Sequence, residues 1–189
     1  MHERFAGPAA RHRLFFALRP EAATAAEIAS AAAALRTQGL VRGSWVAPAK
    51  YHLTLHFLGD HADPRELCAR AADAASALVA ASCRVTLTSA ASFARARRSP
   101  CVLRCDAASE ATIRSLREPL GSLLAERGVP IEDRYTPHVT IAYGDFASAQ
   151  PLPIAPIAWV ATHFSLIDSL VGQSLHEELA RWPLGGGAK

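Results

Sequence analysis

One pattern is written twice in this chain and limits what it can become. HLTLHFLG at residues 52–59 and HVTIAYG at residues 138–144 each place a histidine, an aliphatic residue, a threonine and a second aliphatic residue ahead of an aromatic and a glycine. The histidines are 86 residues apart (138 − 52). Side chains alternate across a strand, so His52 shares a face with Thr54 and His138 with Thr140, while Leu53, Leu55, Val139 and Ile141 point the other way, into a core. A strand with one dry face and one polar face, made twice, predicts two matched halves. An internal twofold relation would bring two imidazoles and two hydroxyls to one cleft.

The elements around the motifs follow from spacing. RLFFALRP (residues 13–20) reads as a strand buried on both faces, and Pro20 fits the first turn of a helix carried by Ile28, Ala31, Ala32 and Leu35 through residue 37, with Gly39 as its stop. A strand runs from His52 to Leu58. Asp63 as N-cap, Pro64 at the first helical position and Glu66 open the next helix. Residues 83–93 and 100–107 form a hairpin joined by the basic loop ARARRS. Residues 109–127 carry a helix in which Pro119 predicts a bend. After the YTPHVTIAYGD strand comes a proline-punctuated loop through Pro156, and residues 163–170 and 176–184 supply closing strands. Strands and helices do not alternate one for one, which favours an α+β fold over a doubly wound parallel sheet. The expectation is a single two-lobed domain over residues 1–189, with 1–12 and 185–189 as flexible tails.

With 50% hydrophobic residues in 189, the chain can bury a core without a metal or disulfide staple. Cysteines at 68, 83, 101 and 105 form no C-x-x-C pair and read as buried reduced thiols. A formal charge of +3 permits a polyanionic partner without requiring one. No apolar run approaches the roughly 18 residues a membrane span needs, and MHERFAGPAARHR lacks the apolar core of a secretion signal. The chain therefore reads as a cytoplasmic protein and, having no heptad pattern, as a monomer.

Two histidines with ordinary pKa values near 6.5 can serve as one neutral base and one protonated acid near neutrality. Threonine hydroxyls can donate to an anionic oxygen between them. A phosphodiester, anionic and opened by in-line attack opposite a leaving oxygen, suits this set, and no metal is required.

The paired motifs, with the opening RLFFALRP and the closing RWPL, resemble the 2H phosphoesterases, most nearly the bacterial RNA 2′,3′-cyclic phosphodiesterases, also described as the 2′-5′ RNA ligase family. The likeness runs from about residue 13 to residue 184. It implies a LigT-like α+β fold of two pseudosymmetric lobes, with antiparallel sheets forming a central cleft and helices packed outside. It also implies opening of a terminal 2′,3′-cyclic phosphate, on RNA ends or cyclic nucleotides, to a 2′-phosphate without cofactor or metal. In that scheme His52 is the acid on the 3′ oxygen, His138 the base on water, and Thr54 and Thr140 hold the phosphate oxygens. Tyr143 stands where members often carry an arginine, and Arg134 or the loop residues Arg95, Arg97 and Arg98 are candidates to replace its charge. His176 occupies a position where relatives often have tyrosine. Tyr143, Arg134, Phe16 and His56 are the further candidates for substrate contact. Phe15, Trp45 and Phe93 are read either as a stacking surface with Phe16 or as core. His56, on the face of His52 and Thr54, is read as a cleft-wall residue rather than a third zinc ligand. Joining of RNA ends through a 2′-5′ bond, phosphodiester hydrolysis on another small substrate, and a non-catalytic RNA-end-binding module are the alternatives.

Overall fold

The computed structural model describes residues 11–93, 99–170 and 175–185. Within them lie nine strands and three α-helices: β1 (His12–Leu18), α1 (Ala22–Thr37), β2 (Val41–Trp45), β3 (Leu53–His61), α2 (Arg65–Ser76), β4 (Cys83–Ser92), β5 (Ser99–Cys105), α3 (Ala107–Glu126), β6 (His138–Phe146), β7 (Leu152–Ala161), β8 (His163–Leu170) and β9 (Leu175–Pro183). A short 3-10 turn, Pro48–Lys50, leads into β3. The strands form one antiparallel sheet in the order β7-β4-β5-β6-β3-β1-β8-β9, with β2 laid against β6.

That order is a palindrome of roles. From the centre outward, β3, β1, β8 and β9 on one side match β6, β5, β4 and β7 on the other. The two sides meet at a single ladder pair, Leu53 with Val139, the residues that follow the two histidines. An internal twofold axis therefore passes between equivalent residues, and both motifs present their polar sides to the same face of the sheet. What reads in the sequence as two lobes is one continuous sheet joined at that point.

The helices cover the other face. Ile28, Ala32 and Leu35 of α1, Leu67, Ala71 and Ala74 of α2, and Ile113, Leu116, Leu120 and Leu124 of α3 are buried stripes at helical spacing. They join Leu14, Phe16, Leu18, Leu53, Leu55, Val139 and Ile141 in the main core. Phe15, Ala17 and Ile167 form a smaller cluster on the cleft side, so β1 is buried on both faces. The cysteines at 83, 101 and 105 are buried free thiols, and Cys68 is partly so. Among the described residues no helix is long and apolar enough to cross a membrane.

Some local expectations move. Pro20 lies before the α1 N-cap, Glu21. The α2 N-cap is Pro64, and Asp63 accepts from the Arg65 backbone N–H at 3.2 Å. Helix α3, capped by Asp106 accepting from Ser109 N at 2.7 Å, runs through Pro119 as one helix. The segment expected as a proline loop contains β7. Its prolines are tolerated because β7 is an edge strand, where a missing N–H need not face a partner, and Pro156 falls where the register with β4 shifts. Strand β1 begins at His12, so it takes in the last residue of the expected N-terminal tail. Arg95, Arg97 and Arg98 lie outside the described residues.

Candidate active site

The polar face of the two central strands floors an open cleft of about 830 Å³ lined by His52, Thr54, His138 and Thr140, with Tyr143 and Arg134 also on its wall. Each imidazole is fixed in the same way. His52 Nδ1 lies 2.7 Å from the Lys50 carbonyl, and His138 Nδ1 lies 2.7 Å from the Thr136 carbonyl, in both cases two residues back. A carbonyl only accepts, so Nδ1 carries the proton in both rings, and Nε2 is left to take or give one. The neighbours differ. Phe15 stacks on His52 with centroids 4.6 Å apart, while Phe93 meets His138 edge-on at 4.7 Å.

Burial governs the charge of both rings. It pushes His52 down to about 4, against the opposing pull of its Lys50 carbonyl bond, and the nearby His176, His138 and Arg19 charges push the same way. His138 is lowered too, chiefly by burial and secondarily by Arg104, with the Thr136 carbonyl opposing. Both imidazoles are therefore neutral at neutral pH, each with Nε2 able to accept a proton. An anion placed between them would favour the charged form of either.

The family model described as the 2′-5′ RNA ligase superfamily matches residues 20–173. The chain belongs to that superfamily. As a 2H phosphoesterase, it is an enzyme of phosphoester chemistry. It is 30% identical over 149 residues to the RNA 2′,3′-cyclic phosphodiesterase of Bacillus subtilis strain 168, an alignment covering 74% of this chain and 80% of that one. Among solved structures, apo E. coli LigT superposes with a TM-score of 0.74 at 24% identity, covering 93% of this chain and 99% of that chain. The Thermus thermophilus protein TT0787 superposes with a TM-score of 0.69, also at 24% identity, covering 93% and 100%. These likenesses establish a LigT-like α+β fold for this 2H phosphoesterase.

Two of the residues expected at the cleft are elsewhere in this superfamily member. His56 is buried, with its ring against α3: Nε2 donates to the Arg117 carbonyl at 2.8 Å, and a Cβ on Gly121 would come within 3.0 Å of its Cε1. The cause is a β-bulge. Ala17 pairs with Thr54 and Phe16 with His56, which leaves Leu55 as an extra residue and reverses the alternation beyond it. The same device recurs in the other motif, where Val102 pairs with Thr140 and Cys101 with Ala142, leaving Ile141 over. A zinc site made of His52, His56 and His138 does not assemble, and among the described residues no group of three or more His, Cys, Asp or Glu could hold a metal. Phe16 is the second correction. It packs against Phe164 and Trp182 in the main core, and by alternation its neighbour Phe15 faces the cleft.

The first bulge also brings in Phe57, which the motif reading passed over. Phe57 and the expected Tyr143, each five residues after its histidine, both line the cleft. Their shared offset was the available signal. Arg117 of α3 also reaches the cleft wall, donating Nε to the carbonyl of the bulged Leu55 at 3.0 Å and Nη2 to the carbonyl of Glu132. Its guanidinium lies 4.4 Å over the Tyr135 ring, whose hydroxyl donates to the Thr54 carbonyl at 2.9 Å. One arginine and one tyrosine thus tie the first motif to the segment leading into the second. Nothing in the linear pattern of a helix marks Arg117 for this.

Proposed function

We propose that this 2H phosphoesterase opens terminal ribose 2′,3′-cyclic phosphates, on RNA ends or cyclic nucleotides, to 2′-phosphates without a metal ion. The observation that carries the reading is the twofold arrangement of two Nε2 atoms over a common cleft, each beside a threonine. The Bacillus subtilis relative, named for this reaction, supports the substrate class.

In the proposed reaction the cyclic phosphate lies between the imidazoles, and Thr54 and Thr140 donate to its non-bridging oxygens. His138 Nε2 takes a proton from water as the water oxygen bonds to phosphorus. The P–O3′ bond breaks, the 3′ oxygen takes the proton from His52 Nε2, and the 2′-phosphate remains. One proton enters the pair and one leaves it, so the enzyme ends with the proton exchanged between its histidines. Burial that lowers His52 to about 4 makes it a strong proton donor once it is protonated beside the anion. Acid, base and anion donors are all supplied by side chains.

The test is product analysis of an oligonucleotide ending in a 2′,3′-cyclic phosphate, incubated with the purified protein and a chelator. A 2′-phosphate product is expected, with losses of roughly 10²- to 10⁴-fold in kcat for His52→Ala and for His138→Ala. Unchanged turnover in both variants, or hydrolysis only when metal is restored, would overturn the reading.

A further inference from the structure

Beside His52 the cleft holds a lysine and a further imidazole that the hydrolytic pair does not use. His176 of β9 stands edge-on to His52 with centroids 5.5 Å apart and edge-on to Phe15 at 5.8 Å, and it lines the cleft. Lys50, at the end of the 3-10 turn, lines the same wall. Neither the Lys50 amine nor a ring nitrogen of His176 makes a hydrogen bond or ion pair among the described residues. The two groups feel each other: after burial, the Lys50 charge is the main cause holding the His176 imidazole below its ordinary value, and Arg19 adds to it. Like-charged or chargeable groups gathered in a cleft without a counter-ion are favoured by an anion between them.

Two of the cleft arginines, and Arg19 close by, are already committed. Arg13 is held by both carboxylate oxygens of Asp60 at 2.8 Å, and Arg117 by two carbonyls and the Tyr135 ring. Arg19 donates to the Ala49 carbonyl at 3.0 Å and lies 3.7 Å from Glu178. Glu178, the acidic neighbour on β9, is itself engaged by Ser165 and Arg181. Arg134 is on the segment leading to His138, on the side from which water attacks in the scheme above.

We propose that Lys50 and His176 form a second phosphate subsite, which binds the 5′-phosphate of the nucleotide whose cyclic phosphate lies between His52 and His138. The inference rests on the proposed hydrolysis, because the oxygen protonated by His52 stays on the ribose. The sugar therefore lies on the His52 flank, and its 5′ carbon extends away from the reacting phosphorus toward Lys50 and His176, whose ring is 5.5 Å from that of His52. The same group could be a free 5′-monoester or the diester to the preceding nucleotide.

Binding tests the subsite independently of turnover. Dissociation constants for adenosine 2′-phosphate, adenosine 2′,5′-bisphosphate and a dinucleotide carrying a 2′-phosphate on its last ribose are measured by calorimetry on the full chain. Wild-type protein should favour one of the two-phosphate ligands over adenosine 2′-phosphate by about tenfold or more, the size of a charge-assisted contact, and the tighter of the two identifies the source of the phosphate. Lys50→Met and His176→Phe, the latter keeping a ring against Phe15 and His52, should each cut that ratio by about threefold or more. Equal affinities in the wild type, or a ratio unchanged in both variants, overturn the subsite. A retained ratio in a protein that hydrolyses no cyclic phosphate would leave the subsite standing and remove the hydrolytic reading instead.

Discussion

At the scale of single residues, the two histidines are set by environment more than by identity. Burial depresses both, His52 to about 4, so both macroscopic pKa values of the pair fall below the ordinary 6.5. The productive pair carries one proton, a state most populated between those two values. A bell-shaped profile of kcat/KM centred on the acid side of 6.5 is therefore expected, and because a bound phosphate anion stabilises imidazolium, the kcat profile should centre at higher pH. Coincident profiles centred above 7 would contradict this account of the cleft. Arg117 makes a different prediction. Arg117→Ala leaves the Leu55 and Glu132 carbonyls without their donor, which should cost about 1–3 kcal/mol in denaturant unfolding, and it should lower kcat by freeing the Tyr135 ring whose hydroxyl holds the Thr54 carbonyl. The positions of His52, Thr54, His138 and Thr140 were legible because two residues of a strand share a face over so short a distance. His56 was not, since one extra residue at Leu55 reverses the pattern without leaving a mark in composition.

Among the elements, the paired bulges and the crossing of β2 on β6 decide where the cleft walls stand. Gly43 of β2 faces Gly144 of β6 in the register that also sets Ser44 opposite Tyr143. A Cβ on Gly144 would collide with the Arg42 carbonyl oxygen, and backbone cannot swing aside as a side chain can. Gly144→Ala should therefore cost about 3 kcal/mol, at the upper end of overpacking effects, and lower the Tm by several degrees. A variant as stable as the wild type would show that β2 does not need this approach. The three helices were readable from their stripes. Strand β7 was not, because Pro153 and Pro156 argue against a strand unless it is known to lie at an edge, and edge position depends on pairings between distant segments.

For the molecule as a whole, duplication was legible and the junction was not. Two motifs announce two halves, yet nothing in either one says that β3 and β6 pair through Leu53 and Val139 and so put the halves in one sheet. A continuous sheet with helices over one face predicts cooperative unfolding. Trp182 lies in the β1 half, and Trp45 and Trp159 in the β6 half. Tryptophan fluorescence and far-ultraviolet circular dichroism should follow one coincident transition in urea, and two resolved steps would show that the halves melt independently.

A site straddling an internal dyad has no built-in sense of direction, since each motif offers a ligand the same groups in the same array. Whether a chain end enters head first or tail first must then be decided by whatever departs from the repeat. Lys50 where the matching position holds Thr136, and Phe57 where it holds Tyr143, are such departures. Polarity of reading in this protein is thus written away from the axis, in the side chains the two halves do not share.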